Sequence, residues 1–134
     1  HMANFLFNEG KNAMMTAGLN LSSDTISIAL VKNSPAITPL ATMTNISTFS
    51  SNILGTAQTL GGKIVTSNVF DASPATFTAV ANGNTVQGFV IYKQSNGLLI
   101  AWIDTGSGSS IPFATNGGNI TLTFSGGPNK IFAL

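Results

Sequence analysis

Very few side chains in this sequence could do chemistry. Its 134 residues include one histidine, four acids and five cations, all lysine, and no cysteine. A serine or threonine nucleophile needs a base to activate it and a third group to orient that base. The histidine is His1, which precedes Met2 and looks like a cloning remnant. We therefore expect no hydrolytic triad, and the lack of cysteine removes thiolate nucleophiles, thiolate metal sites and disulfides together.

The four acids leave one route to catalysis open. Glycoside cleavage uses a pair of carboxylates, so it is arithmetically possible. Asp24 and Asp71 lie beside strand ends, and Asp104 ends a strand before a Thr-Gly turn, which are positions where Asp commonly serves a turn or cap. The Asn-Gly segments at 82–84 and 116–119 supply amides without the carboxylates that calcium prefers. We expect a non-enzymatic protein with no metal and no cofactor.

Charge and hydropathy argue against two classes of partner. Charged residues make up 7% of the chain, against about 25% in an ordinary soluble domain, and the formal net charge is +1. The lysines are scattered, so the basic cluster that phosphate neutralisation demands is missing, and we expect no nucleic acid partner. No run of about 18 apolar residues could span a bilayer, so we expect no membrane partner.

Short apolar runs separated by turn-forming clusters dominate the sequence. Asp24 to Lys32 alternates with the period of a strand, and Gly and Asn, which tolerate positive φ, punctuate the later runs. The pattern predicts a mainly β fold: a single domain over 1–134, built as an antiparallel β-sandwich or barrel of about seven strands with a short N-terminal helix. The other predicted strands are Lys63 to Phe70, Ala75 to Val80, Gly88 to Lys93, Leu98 to Asp104, Asn119 to Phe124 and Lys130 to Leu134, with turns at 82–84, 95–97, 105–108, 116–118 and 125–128.

The segment from Phe5 to Leu19 is the one predicted helix. Its apolar residues recur near helical spacing and Gly18 can supply a left-handed C-terminal stop, although Gly10 weakens the pattern. Two interpretations stay open: a short helix that covers one end of the domain's own sheet, or an amphipathic arm that docks on a partner. Under the second interpretation, the candidate contact residues are Phe5, Phe7, Met14 and Met15.

From Asn33 to Gly62 the strand pattern dissolves into a long irregular excursion. Pro35 and Pro39 disfavour a central strand, and such a stretch is usually a functional loop or packs on a neighbour. The alternative is a meandering edge with one or two short strands or a helical turn. Under the first interpretation we expect contacts outside the domain here, and the candidate subunit or capsid contacts are Ile46, Phe49 and Ile53.

Trp102 lies within the apolar run from Leu98 to Asp104. Strict alternation puts it on one face with Ile100, and puts Leu99 on the other face with Ile103. Both faces are apolar, as in a strand that is buried on two sides. We therefore place Trp102 in the core or in a subunit interface rather than on a sugar-stacking platform.

The order of the strand and turn blocks carries further information. The blocks are Glu9-Gly10-Lys11, Asp24-Thr25-Ile26, Ala29-Leu30-Val31, Val69-Phe70-Asp71-Ala72, Ala75 to Val80, Val90 to Lys93, Leu99 to Thr105, Asn116 to Thr121 and Asn129 to Phe132. In this combination the chain resembles a family of small virion structural proteins encoded by tailed bacteriophages, whereas Asn33 to Gly62 matches poorly. The resemblance implies a β-rich particle component without enzymatic activity, and it transfers no catalytic residue.

The resemblance leads to one hypothesis and leaves two alternatives. The hypothesis is a capsid decoration or cement protein that binds the major capsid protein of a virion assembled in the host bacterial cytoplasm, as a homo-oligomer, with a trimer as the expected symmetry. The first alternative is a tail or fibre module that binds a host surface receptor or glycan, with Phe49 and Phe113 as candidate aromatic platforms. The second is an enzyme that uses paired carboxylates.

Overall fold

Antiparallel β-strands are the main regular secondary structure of the molecule. A computed structural model describes residues 4–104, 111–124 and 131–134. Within those ranges the fold is mainly β and sandwich-like, with one α-helix and no closed barrel, which confirms the predicted fold class. The elements are β1 (Phe5–Leu6), α1 (Asn8–Met15), β2 (Ile26–Lys32), a 3₁₀ turn (Ile46–Phe49), β3 (Ile53–Thr59), β4 (Ile64–Thr66), β5 (Val69–Asp71), β6 (Ala75–Phe77), β7 (Thr85–Lys93), β8 (Leu99–Ile103), β9 (Phe113–Ala114), β10 (Ile120–Leu122) and β11 (Phe132–Ala133).

A central sheet carries most of the strand pairing. Its strands follow the order β1-β8-β7-β2-β3, and β9 pairs with the start of β7. β2 and β7 lie side by side from the Ile26–Lys93 pair to the Lys32–Val86 pair. Every residue of β2 except Lys32 is buried, and so is every residue of β8. The sheet is therefore covered on both of its faces.

One face of the central sheet, which we call the strand face, is covered by two smaller sheets. β6 pairs with β10 in one of them, and β5 pairs with both β4 and β11 in the other. Because strands pack on strands here, the inward-facing apolar residues of several alternating runs form one layer. Its largest buried side chains are Ile26, Ile28, Leu30, Phe70, Phe77, Phe89, Ile91 and Ile100.

The opposite face, which we call the loop face, is covered by irregular chain. Phe5 and Phe7 of the N-terminal segment and the stretch from residue 33 to the start of β3 pack here on the central sheet, whereas Ala13 and Met14 of α1 pack with the strand-face residues. The predicted excursion thus contains a helical turn and the edge strand β3, which is the second of its two interpretations. Buried residues on this face are Phe7, Ala29, Val31, Phe49, Val90, Leu99 and Trp102, with Ile37, Met43, Ile46 and Ile53 packed around them.

The N-terminal helix is shorter than predicted. It spans Asn8–Met15, and the residues before it form β1, in which Phe5 pairs with Trp102. The left-handed residue at its C-terminal end is Ala17, with a φ of 62°, rather than Gly18. Since Gly18 N–H donates to the carbonyl oxygen of Ala13 at 2.8 Å, the helix is closed one residue earlier than the sequence suggested.

Two glycines permit close approaches to β8. A Cβ atom on Gly10 would lie 2.7 Å from the carbonyl oxygen of Leu99, so only glycine lets α1 sit this near the strand. A Cβ atom on Gly88 would lie 2.5 Å from Cζ2 of Trp102, because the indole lies over that position of β7. Gly10, which weakened the predicted helix pattern, is therefore the residue that allows α1 to pack closely on β8.

A β-bulge in β8 breaks the alternation predicted for this run. The register with β7 skips Ile100. Because the extra residue shifts the alternation, Leu99 and Trp102 share the loop face while Ile100 contributes to the strand face. The strict alternation was therefore wrong, whereas the placement of Trp102 in the core is confirmed.

The run from Lys63 to Phe70, predicted as one strand, is a hairpin. Ser67 and Asn68, with φ of 52° and 55°, form a two-residue turn between β4 and β5. Positive φ at both central residues is the condition for a type I′ turn, whose twist matches that of paired strands. The sequence signal was the Ser-Asn pair within the run, which the strand pattern on each side concealed.

The C-terminal strands are shorter than predicted. Asn119 to Phe124 narrows to β10, and Lys130 to Leu134 narrows to β11. The predicted turns at 105–108 and 125–128, Lys130 and the first two residues of the chain lie outside the described residues.

Candidate functional site

Hydrogen bonds and an ion pair connect Asp24, in the loop before β2, to Lys93 at the end of β7 and to Lys63 just before β4. The backbone N–H of Asn20 donates to Asp24 Oδ2 at 2.7 Å, and Lys93 Nζ lies 3.6 Å from the same oxygen. The Asn20 hydrogen bond above all, assisted by Lys93 and Lys63 and opposed by desolvation, holds the pKa of the Asp24 carboxyl below its ordinary value. Lys63 Nζ also donates to the Asp24 carbonyl oxygen. The Asp24 carboxylate therefore stabilises the turn that runs from Asn20 to Asp24.

The other acids lie in separate parts of the fold. Asp104 is buried at the end of β8, where its Oδ2 accepts from Trp102 Nε1 at 3.1 Å and its backbone N–H donates to Asn4 Oδ1 at 2.7 Å. Glu9 is exposed in the first turn of α1, and Asp71 ends β5. In the ranges that the structure describes, no three His, Cys, Asp or Glu side chains form a group that could hold a metal ion.

Two of the predicted contact residues belong to the protein's own core. Phe7 and Phe49 are both fully buried on the loop face. Phe49 stacks on Trp102 with ring centroids 6.1 Å apart and 6° between the planes, and Phe7 meets Phe49 edge-on at 6.4 Å. Neither ring has surface to offer a partner or a sugar. Their assignment as contacts, and that of Phe49 as an aromatic platform, is therefore corrected.

Three other predicted contact residues keep only part of their surface. Phe5, Ile46 and Ile53 are half-buried and pack around the same loop-face cluster. Phe5 also meets Phe7 edge-on, with ring centroids 5.1 Å apart. These side chains serve first to cover the central sheet.

Asparagine side chains fasten the irregular chain to the sheet. Asn45 Oδ1 accepts from the backbone N–H of Ser47 at 3.1 Å, and its Nδ2 donates to the carbonyl oxygen of Asn96 in the β7–β8 turn at 2.9 Å. Asn52 is buried, and its Nδ2 donates to the carbonyl oxygens of Lys32 at 3.0 Å and Pro35 at 2.6 Å. Sequence analysis did not single out either residue, because Asn is abundant in this chain and both partners are set by the fold.

Met14 and Met15 border an apolar hollow at the surface. Together with Lys11 and Leu134 they line a volume of about 210 Å³, and we call these four residues the C-terminal patch. Met15 is 77% exposed and Leu134 is 63% exposed. Leu134 is held by Asn68, whose Nδ2 and carbonyl oxygen each form a hydrogen bond of 2.9 Å with its backbone. The sequence pointed to the two methionines but not to Leu134.

A second apolar surface lies at strand β4. Ile64 is 57% exposed and Val65 is 45% exposed, and β4 forms the outer strand of its sheet. Sequence analysis missed this edge because it treated Lys63 to Phe70 as one strand.

A third surface is a groove between β9 and β10. Its volume is about 400 Å³, and its lining includes Phe113, Asn116, Asn119 and Ile120. Phe113 is half-buried, so part of the ring predicted as a platform does face this groove. Asn116 Oδ1 accepts from the backbone N–H of Gly118 at 2.9 Å, which holds the side chain in place.

Comparisons with protein-family models, with curated proteins and with solved structures found no match to this chain. Across the described ranges, no helix has the length and apolar character needed to cross a membrane.

Proposed function

We propose that this protein is a non-enzymatic structural component of a tailed-phage virion, and that it acts as a capsid decoration or cement protein. The observation that carries the proposal is the C-terminal patch, in which Met15 and Leu134 are exposed beside a hollow. Clustered exposed apolar side chains are typical of protein contact sites. The ordered blocks that resemble phage virion proteins supply the class of particle.

The C-terminal patch suits a partner that inserts an apolar side chain. Met14 and Met15 have flexible, polarizable thioethers that adapt to the shape of an entering group. Leu134 is fixed by its two hydrogen bonds to Asn68, so one wall of the hollow is preset. Lys11 adds one positive charge at the border. A complementary surface on the major capsid protein would present an apolar side chain next to an acid or a carbonyl group.

Decoration of this kind acts by linkage. A protein that binds the assembled lattice but not its separated subunits stabilises the lattice by mass action. Burying one side chain such as Met15 contributes about 1.5–3 kcal/mol, which is too little for tight binding by a single patch. The proposal therefore includes a homo-oligomer, a trimer at the three-fold positions of the lattice, in which several patches bind together.

Binding to purified phage heads that lack the protein tests the proposal. Wild-type protein is compared with Met15→Lys and with Leu40→Lys, the latter a matched control because Leu40 is 52% exposed and lies outside the patch. We expect wild type and the control to bind heads, and Met15→Lys to bind at least about tenfold more weakly, or about 1.4 kcal/mol. Molar mass by light scattering tests the trimer.

Two results would contradict this reading. Electron microscopy that locates labelled protein only on tails would reject the decoration role. Equal head binding by Met15→Lys and Leu40→Lys would reject the C-terminal patch as the contact.

The groove between β9 and β10 supports a second candidate, a tail or fibre module that binds a host surface glycan or receptor. It combines a half-buried aromatic ring, Phe113, with amide side chains that backbone N–H groups hold in place. Rings and fixed amides are suited to stacking and hydrogen bonding with a sugar. Glycan binding by the wild type that Phe113→Ala lowers at least about tenfold, without head binding, would favour this candidate.

A further inference from the structure

The outer edge of β4 is protected only by its short length. β4 pairs only with β5, and among the described residues no strand pairs with its other side. Natural proteins blunt such edges with short strands, charges, proline or a bulge. β4 has three residues, which contain no charge, proline or bulge, and all three are exposed. This edge is therefore available for pairing.

The longer edge strand β3 is protected by a bulge, which β4 lacks. β3 pairs with β2 through a register shift, and Gly55 at that shift has a φ of 74°. A bulge of this kind bends and twists a strand so that a second chain cannot extend the ladder. β4 carries no register shift in its pairing with β5.

Lys63, the cation next to β4 in the sequence, does not guard the β4 edge. Lys63 immediately precedes the strand, but its Nζ donates to the carbonyl oxygen of Asp24. The ammonium group is therefore engaged on the neighbouring loop. Ile64 and Val65 remain as exposed apolar side chains at the edge.

The hairpin register decides which backbone groups of β4 face outward. Thr66 pairs with Val69 across the two-residue turn, and Val65 pairs with Phe70. In a two-residue hairpin the pair next to the turn exchanges both hydrogen bonds, and the next pair is non-hydrogen-bonded. The N–H and C=O of Val65 therefore point away from β5, while those of Ile64 and Thr66 point toward it.

We propose that two copies of this chain pair antiparallel through β4, with a two-fold axis at Val65. In that register, Val65 of each copy donates its N–H to the carbonyl oxygen of Val65 of the partner subunit. A hydrogen-bonded antiparallel pair of this kind satisfies all the outward polar groups of β4 at once. A register shifted by one residue would place Ile64 or Thr66 on the axis. The backbone N–H and C=O groups of those two residues already point toward β5.

A second copy is the occupant that this edge fits best. Two-fold symmetry requires a self-complementary strand, and a central residue with one outward donor and one outward acceptor meets that requirement. Val65 is also the cross-strand neighbour of Phe70, which is fully buried on the strand face. Pairing therefore places Val65 of the two copies side by side and extends the apolar layer across the axis.

The pairing is weak in free solution because a strand of three residues buries little area. It becomes effective when copies are held near one another, since effective concentrations between tethered modules reach the millimolar range. The inference does not depend on the particle to which the protein belongs.

Cysteine cross-linking in register tests the proposal, and the natural chain contains no cysteine to interfere. With Val65 on the axis, Ile64 lies opposite Thr66 of the partner subunit as a non-hydrogen-bonded pair with Cα atoms about 4.5 Å apart, within disulfide reach. Protein carrying Ile64→Cys is mixed with protein carrying Thr66→Cys under mild oxidation, and the disulfide-linked dimers are counted by mass spectrometry. We expect the mixed dimer to form about tenfold faster than either homodimer.

Two control variants separate pairing from random collision. A mixture of Ser51→Cys and Leu40→Cys proteins, both at exposed positions outside the C-terminal patch, gives the collision rate. Val65→Pro removes the outward N–H without removing a β4–β5 hydrogen bond, so adding it to both reporters should lower the mixed-dimer rate to the collision rate. Mixed and homodimers in statistical proportion, or at the collision rate, would overturn the proposal, including the case in which the edge accepts only a strand of another protein.

Discussion

The strand face and the loop face of the central sheet bury comparable aromatic side chains under very different covers. On the strand face, short paired strands form the cover and contribute the buried rings of Phe70 and Phe77. On the loop face, the N-terminal segment contributes Phe7 and a largely irregular stretch contributes Phe49, which stacks on Trp102 of the sheet. Burial of the rings is complete on both sides. Regular secondary structure is therefore not a condition for a closed core in this protein.

The difference lies in what holds each cover in place. Backbone ladders join the strands within the small sheets, whereas the loop-face cover is held by isolated backbone hydrogen bonds, by the side chains of Asn45 and Asn52, and by ring contacts with Trp102. A cover of the second kind is held by few side chains, so its sensitivity to side-chain substitution should be concentrated in them. The predictions below test that expectation, beginning with the largest effect.

The sharpest comparison is between Phe49→Ala and Phe70→Ala. Each substitution removes a fully buried ring, one from each face. We expect both to lower the free energy of unfolding by about 3–5 kcal/mol, because each leaves a cavity as well as losing apolar burial. Urea denaturation measures the two values. A cost below about 1 kcal/mol for Phe49→Ala alone would mean that the loop face has a detachable cover.

Gly88→Ala should disturb the loop face by overpacking it. The added methyl group would lie 2.5 Å from Cζ2 of Trp102, which must move. We expect a loss of about 1–3 kcal/mol in unfolding free energy and a change in tryptophan fluorescence. Gly61→Ala is the control, because a Cβ atom there would meet nothing within 4 Å. Equal stability of the two variants would show that the indole has room to shift.

Asn45→Ala should loosen the loop-face cover without opening a cavity. It removes the cap on the 3₁₀ turn and the hydrogen bond to Asn96. We expect a loss of about 1 kcal/mol, with faster amide hydrogen exchange at Ile46 and Ser47. Gln58→Ala is the matched control, since its Nε2 bonds only to Thr56 within the same strand. Unchanged exchange at both amides would remove Asn45 from the fastening residues.

Asp24→Asn should have the smallest effect, and it tests the interactions of the Asp24 carboxylate with Asn20 and Lys93. The folded-state pKa of Asp24 is lowered, so its contribution to stability is present above the unfolded pKa of about 3.9 and is lost as pH falls through the folded pKa. We expect wild type to be slightly more stable than the variant at pH 7 and the difference to be smaller at pH 3, which lies below the unfolded pKa. Urea denaturation at both pH values measures it, and a difference that does not change with pH would contradict the assigned cause.

Local sequence patterns predicted the fold class and several strands of both the central sheet and its strand-face cover. The alternation from Asp24 to Lys32 and the Gly and Asn turn clusters predicted the strands and the mainly β class, because pleat period and turn dihedrals are local properties. They failed where one residue changes the register. The bulge at Ile100 and the turn at Ser67 and Asn68 each depend on pairing with another strand, which no local period records.

The loop face and the surface sites were harder to predict for a different reason. Phe49 is an isolated apolar residue in a polar stretch, and only its stacking on Trp102, distant in sequence, shows that it belongs to the core. Met14 and Met15 could be identified from their spacing on the predicted helix, but the C-terminal patch also needs Leu134, whose backbone is hydrogen-bonded to Asn68. Such long-range contacts are properties of the fold rather than of any window of sequence.

The pairing of β1 with β8 sets an order of events for the growing chain. Phe5 pairs with Trp102, and the N–H of Asp104 donates to Asn4 across a sequence separation of 100 residues. Closing such a loop costs entropy before any contact repays it. During synthesis, Phe5 and Phe7 therefore stay exposed until β8 has left the ribosome. In that interval the two rings form an apolar segment without its native partners, which is the kind of surface that chaperones bind.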